Sequence, residues 1–138
     1  MKTKQFWFNL PVKNLAKAKT FYRALGFSES EMHPSNDHMG RFFIGEQKVG
    51  MMLIPEANFE EYSGHKTADT AVASEVLLNI DAQSREEVHE YARIALEAGG
   101  AVYLEPVLIQ GWMYTCGFAD LDGHRWNVLF MEKEAMPK

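Results

Sequence analysis

Apolar and polar positions run through the same order twice along this chain. From Phe6 to Val12 they alternate among strand-forming residues, which predicts a β-strand. Leu15, Ala18, Phe21, Tyr22 and Leu25 then recur at three-to-four spacing, which predicts a helix over about 15–25 with one buried face. Asn14 is placed to cap its first turn, and Gly26 to end it as the C′ residue. Three short strands are expected next, at Ser28 to Met32, Met39 to Ile44 and Val49 to Ile54. Gly45-Glu46-Gln47-Lys48 supplies the turn between the last two.

The second half repeats the pattern. Glu75 to Ile80 reads as a strand, and Ser84-Arg85-Glu86-Glu87 as a capping box. Val88, Tyr91, Ala92 and Ala95 mark one face of a helix that runs to Ala98 and is stopped by Gly99-Gly100. Strands are expected at about Ala101 to Glu105, Met113 to Ala119 and Arg125 to Met131, the last two joined through Asp122-Gly123. Each half is therefore β-α-β-β-β, and the fold class is α+β. One such unit leaves a sheet face apolar and open, so two must pair. The reading is a single domain over 1–138: module one about 5–55, a linker about 56–73 with room for a helical turn at Phe59 to Tyr62, and module two about 74–132.

Composition narrows the function classes. The net charge is −5 and no basic stripe is visible, which argues against a nucleic-acid surface. No apolar run reaches the roughly 18 residues of a membrane span, and no signal-peptide core follows Met1. The single cysteine, Cys116, excludes an intrachain disulfide and suits a reducing compartment, so a cytoplasmic protein is expected. Cys116 sits mid-strand without a local base and reads as a small core residue.

Two segments carry a family resemblance. Phe8-Asn9-Leu10-Pro11-Val12 leading into Phe21-Tyr22-Arg23-Ala24-Leu25-Gly26-Phe27, and Asp120-Leu121-Asp122-Gly123-His124-Arg125-Trp126-Asn127, resemble the opening and closing signatures of the vicinal oxygen chelate superfamily. That superfamily contains glyoxalase I, bleomycin- and fosfomycin-resistance proteins and extradiol dioxygenases. The resemblance implies two βαβββ modules whose sheets curve around a cleft, paired within one chain or across a dimer. It also implies four cleft positions where relatives hold a divalent metal with His, Gln or Glu. Here they fall on Trp7, Met52, Glu75 and Asn127, the second being subject to a one-residue shift within Met51-Met52.

Of these four, Glu75 alone is an ordinary ligand for zinc, iron, nickel or manganese. Tryptophan has no lone pair to give, and a thioether suits soft Cu(I). A metal-free, cofactor-free cleft is therefore expected. The histidines do not rebuild a site: His33 and His38 flank a turn-rich loop, His65 lies in the linker, His89 on a helix among glutamates, and His124 in the Asp-Gly-His turn.

Candidate chemistry then rests on fewer residues. Glu75, placed among apolar neighbours, would be the acid–base group if burial favoured its neutral form. Trp7, Asn9, Met52 and Asn127 are expected to face a ligand, with Trp112 and Tyr114 on the rim beside Gly111. Methionine-rich walls tolerate varied ligands. The leading expectation is a binder of a small apolar or aromatic molecule, in the style of bleomycin-resistance proteins. An atypical lyase or dioxygenase using Glu75, and an interaction module with a filled cleft, are the alternatives. The expected partners are a small-molecule ligand and a second copy in a homodimer, with no nucleic acid and no membrane.

Overall fold

A computed structural model describes residues 1–30 and 38–138. His33 and the end of the strand expected over 28–32 lie outside the described residues. The chain divides into two compact units, Met1–Asp69 and Thr70–Lys138.

In the first unit, β1 (Trp7–Val12) leads through Asn14 into α1 (Leu15–Ala24), followed by β2 (Ser28–Glu29), β3 (Gly40–Ile44) and β4 (Val49–Pro55). The expected cap is present: Asn14 Oδ1 accepts a hydrogen bond from Lys17 N at 3.0 Å. Gly26 follows the helix at φ 87°, a left-handed conformation that favours glycine. The strand order is β1-β4-β3-β2, with β1 parallel to β4 and the other pairs antiparallel. Register decides the Met51-Met52 ambiguity. Met51 lies opposite Phe8 and Phe42 and is fully buried, whereas Met52 lies opposite Asn9 and Arg41. The core therefore joins Phe42, Met51 and Leu53 to Ala18, Phe21 and Tyr22 of α1.

The segment expected to be a linker contains more structure than one turn. An eight-residue helix, α2 (Glu56–Ser63), begins directly after β4, packs on β1 and β4, and ends at Gly64 in a left-handed cap. Pro55 hides this start from sequence reading, because it terminates the strand while serving as the residue before the helix.

The second unit repeats the arrangement with β5 (Leu77–Asp81), α3 (Arg85–Glu97), β6 (Ala101–Ile109), β7 (Met113–Ala119) and β8 (Arg125–Met131). Its order, β5-β8-β7-β6, has the same parallel and antiparallel pairings. Ser84 Oγ accepts from Glu87 N at 3.1 Å, as a capping box requires. Val88, Ala92 and Ala95 of α3 are buried, as are Cys116, Phe118, Trp126 and Val128 of the sheet, and Phe118 stacks on Trp126.

Two strand bounds in the second unit differ from expectation by more than one residue. β5 begins at Leu77, not Glu75. β6 continues through Pro106 to Ile109, because it is an edge strand whose pairing is irregular between Leu104 and Val107. A proline at an edge irregularity loses no ladder bond it needs.

The turn between β7 and β8 is organised by Asp120. Its Oδ1 accepts from Asp122 N at 3.0 Å and His124 N at 2.9 Å, and its backbone N–H donates to His124 O at 2.9 Å. Asp120→Ala leaves those two N–H groups without their acceptor and is expected to cost about 1–3 kcal/mol, read from urea unfolding. A change below about 0.5 kcal/mol would show that water replaces the carboxylate at no cost.

Candidate functional site

Strand alternation sorts each sheet into a helix-covered face and a far face. In the N-terminal unit the far face carries Trp7 and Asn9 of β1, Gly50 and Met52 of β4, and Arg41 and Phe43 of β3. Trp7 is 57% exposed and lies opposite Gly50. A Cβ added at Gly50 would stand 3.1 Å from Trp7 Cβ, so the glycine keeps the floor beside the indole clear. These strands and the segment before β1 line a partly open cavity of about 680 Å³, within the range of small-molecule pockets. Phe6, Trp7 and Phe43 wall it, with Lys4, Arg41 and Lys48 around them. Arg41 Cζ lies 5.4 Å from the centre of the Phe43 ring. Asn9 Oδ1, further along this face, is buried with no hydrogen-bond partner among the described residues, an acceptor that a donor would satisfy.

In the C-terminal unit Asn79 lies opposite Asn127, and Arg125 opposite Leu77. Tyr103 bulges out of β6, between Val102 and Leu104, and crosses Gly117. Its Oη lies 2.5 Å from Asn127 Oδ1 and 3.0 Å from Trp126 O. Arg125 Cζ stacks 4.4 Å above the same ring. Burial holds the Tyr103 phenol above its ordinary pKa, partly offset by Arg125, so it stays a neutral donor to these oxygens.

The sequence-derived site residues are placed unevenly. Trp7, Asn9 and Met52 share the far face of the first sheet, and Asn127 lies on that of the second. Tyr114 does not: alternation puts it with Cys116 and Phe118 on the helix side, where its hydroxyl meets His89 Nε2 at 2.7 Å. Trp112 ends the three-residue hairpin loop between β6 and β7, in which Gln110 and Gly111 both have positive φ, so Gly111 serves turn geometry there. Glu75 lies on a bend ahead of β5 and is exposed. Arg41, Phe43 and Lys48 were not among the expected site residues, although a period-two pattern plus a turn places them. Tyr103 was not, because a bulge leaves no mark in the sequence.

The residues at the four positions where the resemblance implies a metal do not make the donor set of a divalent ion. Trp7 and Met52 in the first unit offer no hard donor, and Asn127 Oδ1 is engaged by Tyr103. Glu75 stands outside the strand. Among the described residues no three His, Cys, Asp or Glu side chains converge.

Cys116 is buried, and its Sγ lies 3.5 Å from Val88 O. Burial, with Glu105 adding to it, pushes the thiol pKa up from 9.0 to about 11. At pH 8 native Cys116 should react with a thiol reagent roughly a hundredfold more slowly than in the unfolded chain, where the thiolate is far more populated. Because the folded pKa is the higher one, this group's stabilising contribution is complete below about pH 9 and is lost as pH rises toward 11. Equal labelling rates in native and unfolded protein would contradict the burial.

Residues 4–36 match a family model described as bleomycin resistance protein-like N-terminal. A hypothetical protein, SA1046 from S. aureus, superposes with a TM-score of 0.82 at 35% identity, over 94% of this chain and 95% of that one. The chain shares the fold of proteins described as glyoxalase/bleomycin resistance/dioxygenase family members. Its fold is the vicinal oxygen chelate fold. A glyoxalase-related enzyme from Fulvimarina pelagi shares that fold, with a TM-score of 0.79 at 17% identity over 94% of this chain and 88% of that one. So does a lactoylglutathione lyase from Agrobacterium tumefaciens, with a TM-score of 0.63 at 16% identity over 93% of each chain. No curated protein sequence matches the chain. Superfamily members thus share a scaffold here, while the side chains on it decide the chemistry. Among the described residues no helix is long and apolar enough to cross a membrane.

Proposed function

We propose that this chain is a member of the glyoxalase/bleomycin resistance/dioxygenase superfamily that binds a small apolar or aromatic molecule against the far face of its N-terminal sheet, without a metal ion. The observation that carries the reading is the cavity of about 680 Å³ walled by Phe6, Trp7 and Phe43. An exposed indole beside a glycine floor offers a flat contact surface whose burial is favourable. The lack of hard donors at Trp7 and Met52 supports the metal-free part of the reading. No observation favours an acid–base role for Glu75.

The experiment is a titration with N-phenyl-1-naphthylamine, a neutral aromatic probe. Binding should raise probe emission and quench tryptophan fluorescence by energy transfer, with part of the quenching lost in Trp7→Phe. Absence of saturable binding up to millimolar probe would overturn the proposal. Elemental analysis of protein purified without chelator should find no stoichiometric zinc, nickel, iron or manganese. About one tightly held metal per chain would refute the metal-free reading.

We further propose a homodimer, since edge strands and exposed apolar side chains such as Val107 and Leu108 on β6 are commonly covered by a second copy. Light scattering should return twice the chain mass, and a mass near 15.8 kDa would refute the dimer.

A further inference from the structure

We infer that the far face of the C-terminal sheet carries a binding site for the carboxylate of a small organic acid, built on Arg125 where it rests on Tyr103. Three uncommon features converge to present that tyrosine. A break in the β6–β7 register between Val102 and Leu104 frees Tyr103 from the ladder, as a bulge does when it re-aims a side chain. Gly117, inside β7, leaves room for the ring to lie across the strand. Asn127 Oδ1 and Trp126 O then hold the hydroxyl at 2.5 and 3.0 Å. The ring fixed in this way carries the Arg125 guanidinium 4.4 Å from its centre. That contact orients the cation but supplies no oxygen to accept from its N–H groups.

The charge of Arg125 is left for a ligand. Residues 70–138 are all described, and among the described residues Arg125 makes no ion pair. The other arginines of this unit differ: Arg85 pairs with Glu132, and Arg93 with Glu90 and Glu97. The neighbours of Arg125 on the far face are neutral. Asn127 follows it two residues along β8, and with Oδ1 engaged by Tyr103 its Nδ2 N–H groups remain as donors. Leu77, opposite Arg125, is 48% exposed and offers apolar surface. A carboxylate suits this set, because its two oxygens can accept from the planar guanidinium and from the amide. The carbon body of the acid would cover Leu77. The face is open rather than enclosed, so a dissociation constant of about 1 mM is expected for a minimal acid.

The test is an NMR titration of isotope-labelled protein with cyclohexanecarboxylate and with its neutral counterpart, cyclohexanecarboxamide. It is read at the side-chain N–H resonances of Arg125 and Asn127. At low salt the acid should shift both and bind about fivefold more tightly than the amide, an advantage that shrinks as salt is added. Arg125→Gln should abolish the difference, read at Asn127, with the melting temperature nearly unchanged because Arg125 is exposed. Arg125→Lys keeps the charge without the fork and should retain only part of it. Lys133→Gln makes the same change in net charge beyond the far end of β8 and should leave the difference intact. Equal affinities for acid and amide, unmoved Arg125 resonances, or equal effects of Arg125→Gln and Lys133→Gln overturn the inference. Shifts confined to resonances of the N-terminal unit overturn it too, while the cavity reading stands.

Discussion

Gly117→Ala is expected to lower the melting temperature by roughly 10 °C, because it costs about 3 kcal/mol in a chain of this length. An added Cβ would stand 2.9 Å from Tyr103 Oη and closer still to two carbons of the ring. Tyr103 cannot simply move aside. Its hydroxyl is held by Asn127 and the Trp126 carbonyl, and Arg125 stacks on its ring. Displacing it would forfeit these contacts together. The cycle with Tyr103→Ala isolates the cause. Once the ring is gone, Gly117→Ala should become neutral or slightly stabilising, since alanine restricts the unfolded chain more than glycine. If Gly117→Ala is equally harmful in both backgrounds, the collision with Tyr103 is not its origin.

Trp7→Ala is expected to weaken binding of N-phenyl-1-naphthylamine by about 2 kcal/mol, close to thirtyfold in Kd. This loss corresponds to a probe that covers most of the indole's exposed face, roughly 80 Å² of apolar surface at about 25 cal/mol per Å². Trp7 is largely exposed and adds little to the core, so the melting temperature should fall by only a few degrees. Probe fluorescence titration, with thermal unfolding measured beside it, separates lost contact from lost fold. Affinity within about twofold of the unmodified protein would place the ligand away from Trp7.

Much of the secondary structure was legible because its signals are local. Asn14 and Ser84 cap helices through side-chain oxygens a few residues from the N–H groups they serve. Gly26 and Gly99 stop those helices because both adopt positive φ, which glycine reaches without a Cβ penalty. β7 and β8 match their expected bounds at both ends, since alternation is clean and Asp120 to His124 forms a tight turn. The site was less legible. Trp7, Asn9 and Met52 share a face, as alternation along two strands implied, but their neighbours Arg41 and Lys48 come from a third strand and its turn. Tyr114 was grouped with Trp112 by proximity in sequence, while pairing sends it to the side of α3 and His89.

The sequence by itself determined the α+β class, the duplicated β-α-β-β-β order and the helix caps. Each of these comes from chemistry within a few residues of chain or from a repeat with a fixed period. The tertiary structure alone decided which of Met51 and Met52 enters the core, that β5 begins after Glu75, and that β6 passes through Pro106. It also decided that Tyr103 lies across Gly117 to reach Asn127. These depend on strand register and on which strand forms an edge. Both are set by hydrogen bonds and packing between residues far apart in the chain, and a one-residue change in pairing turns every side chain to the opposite face.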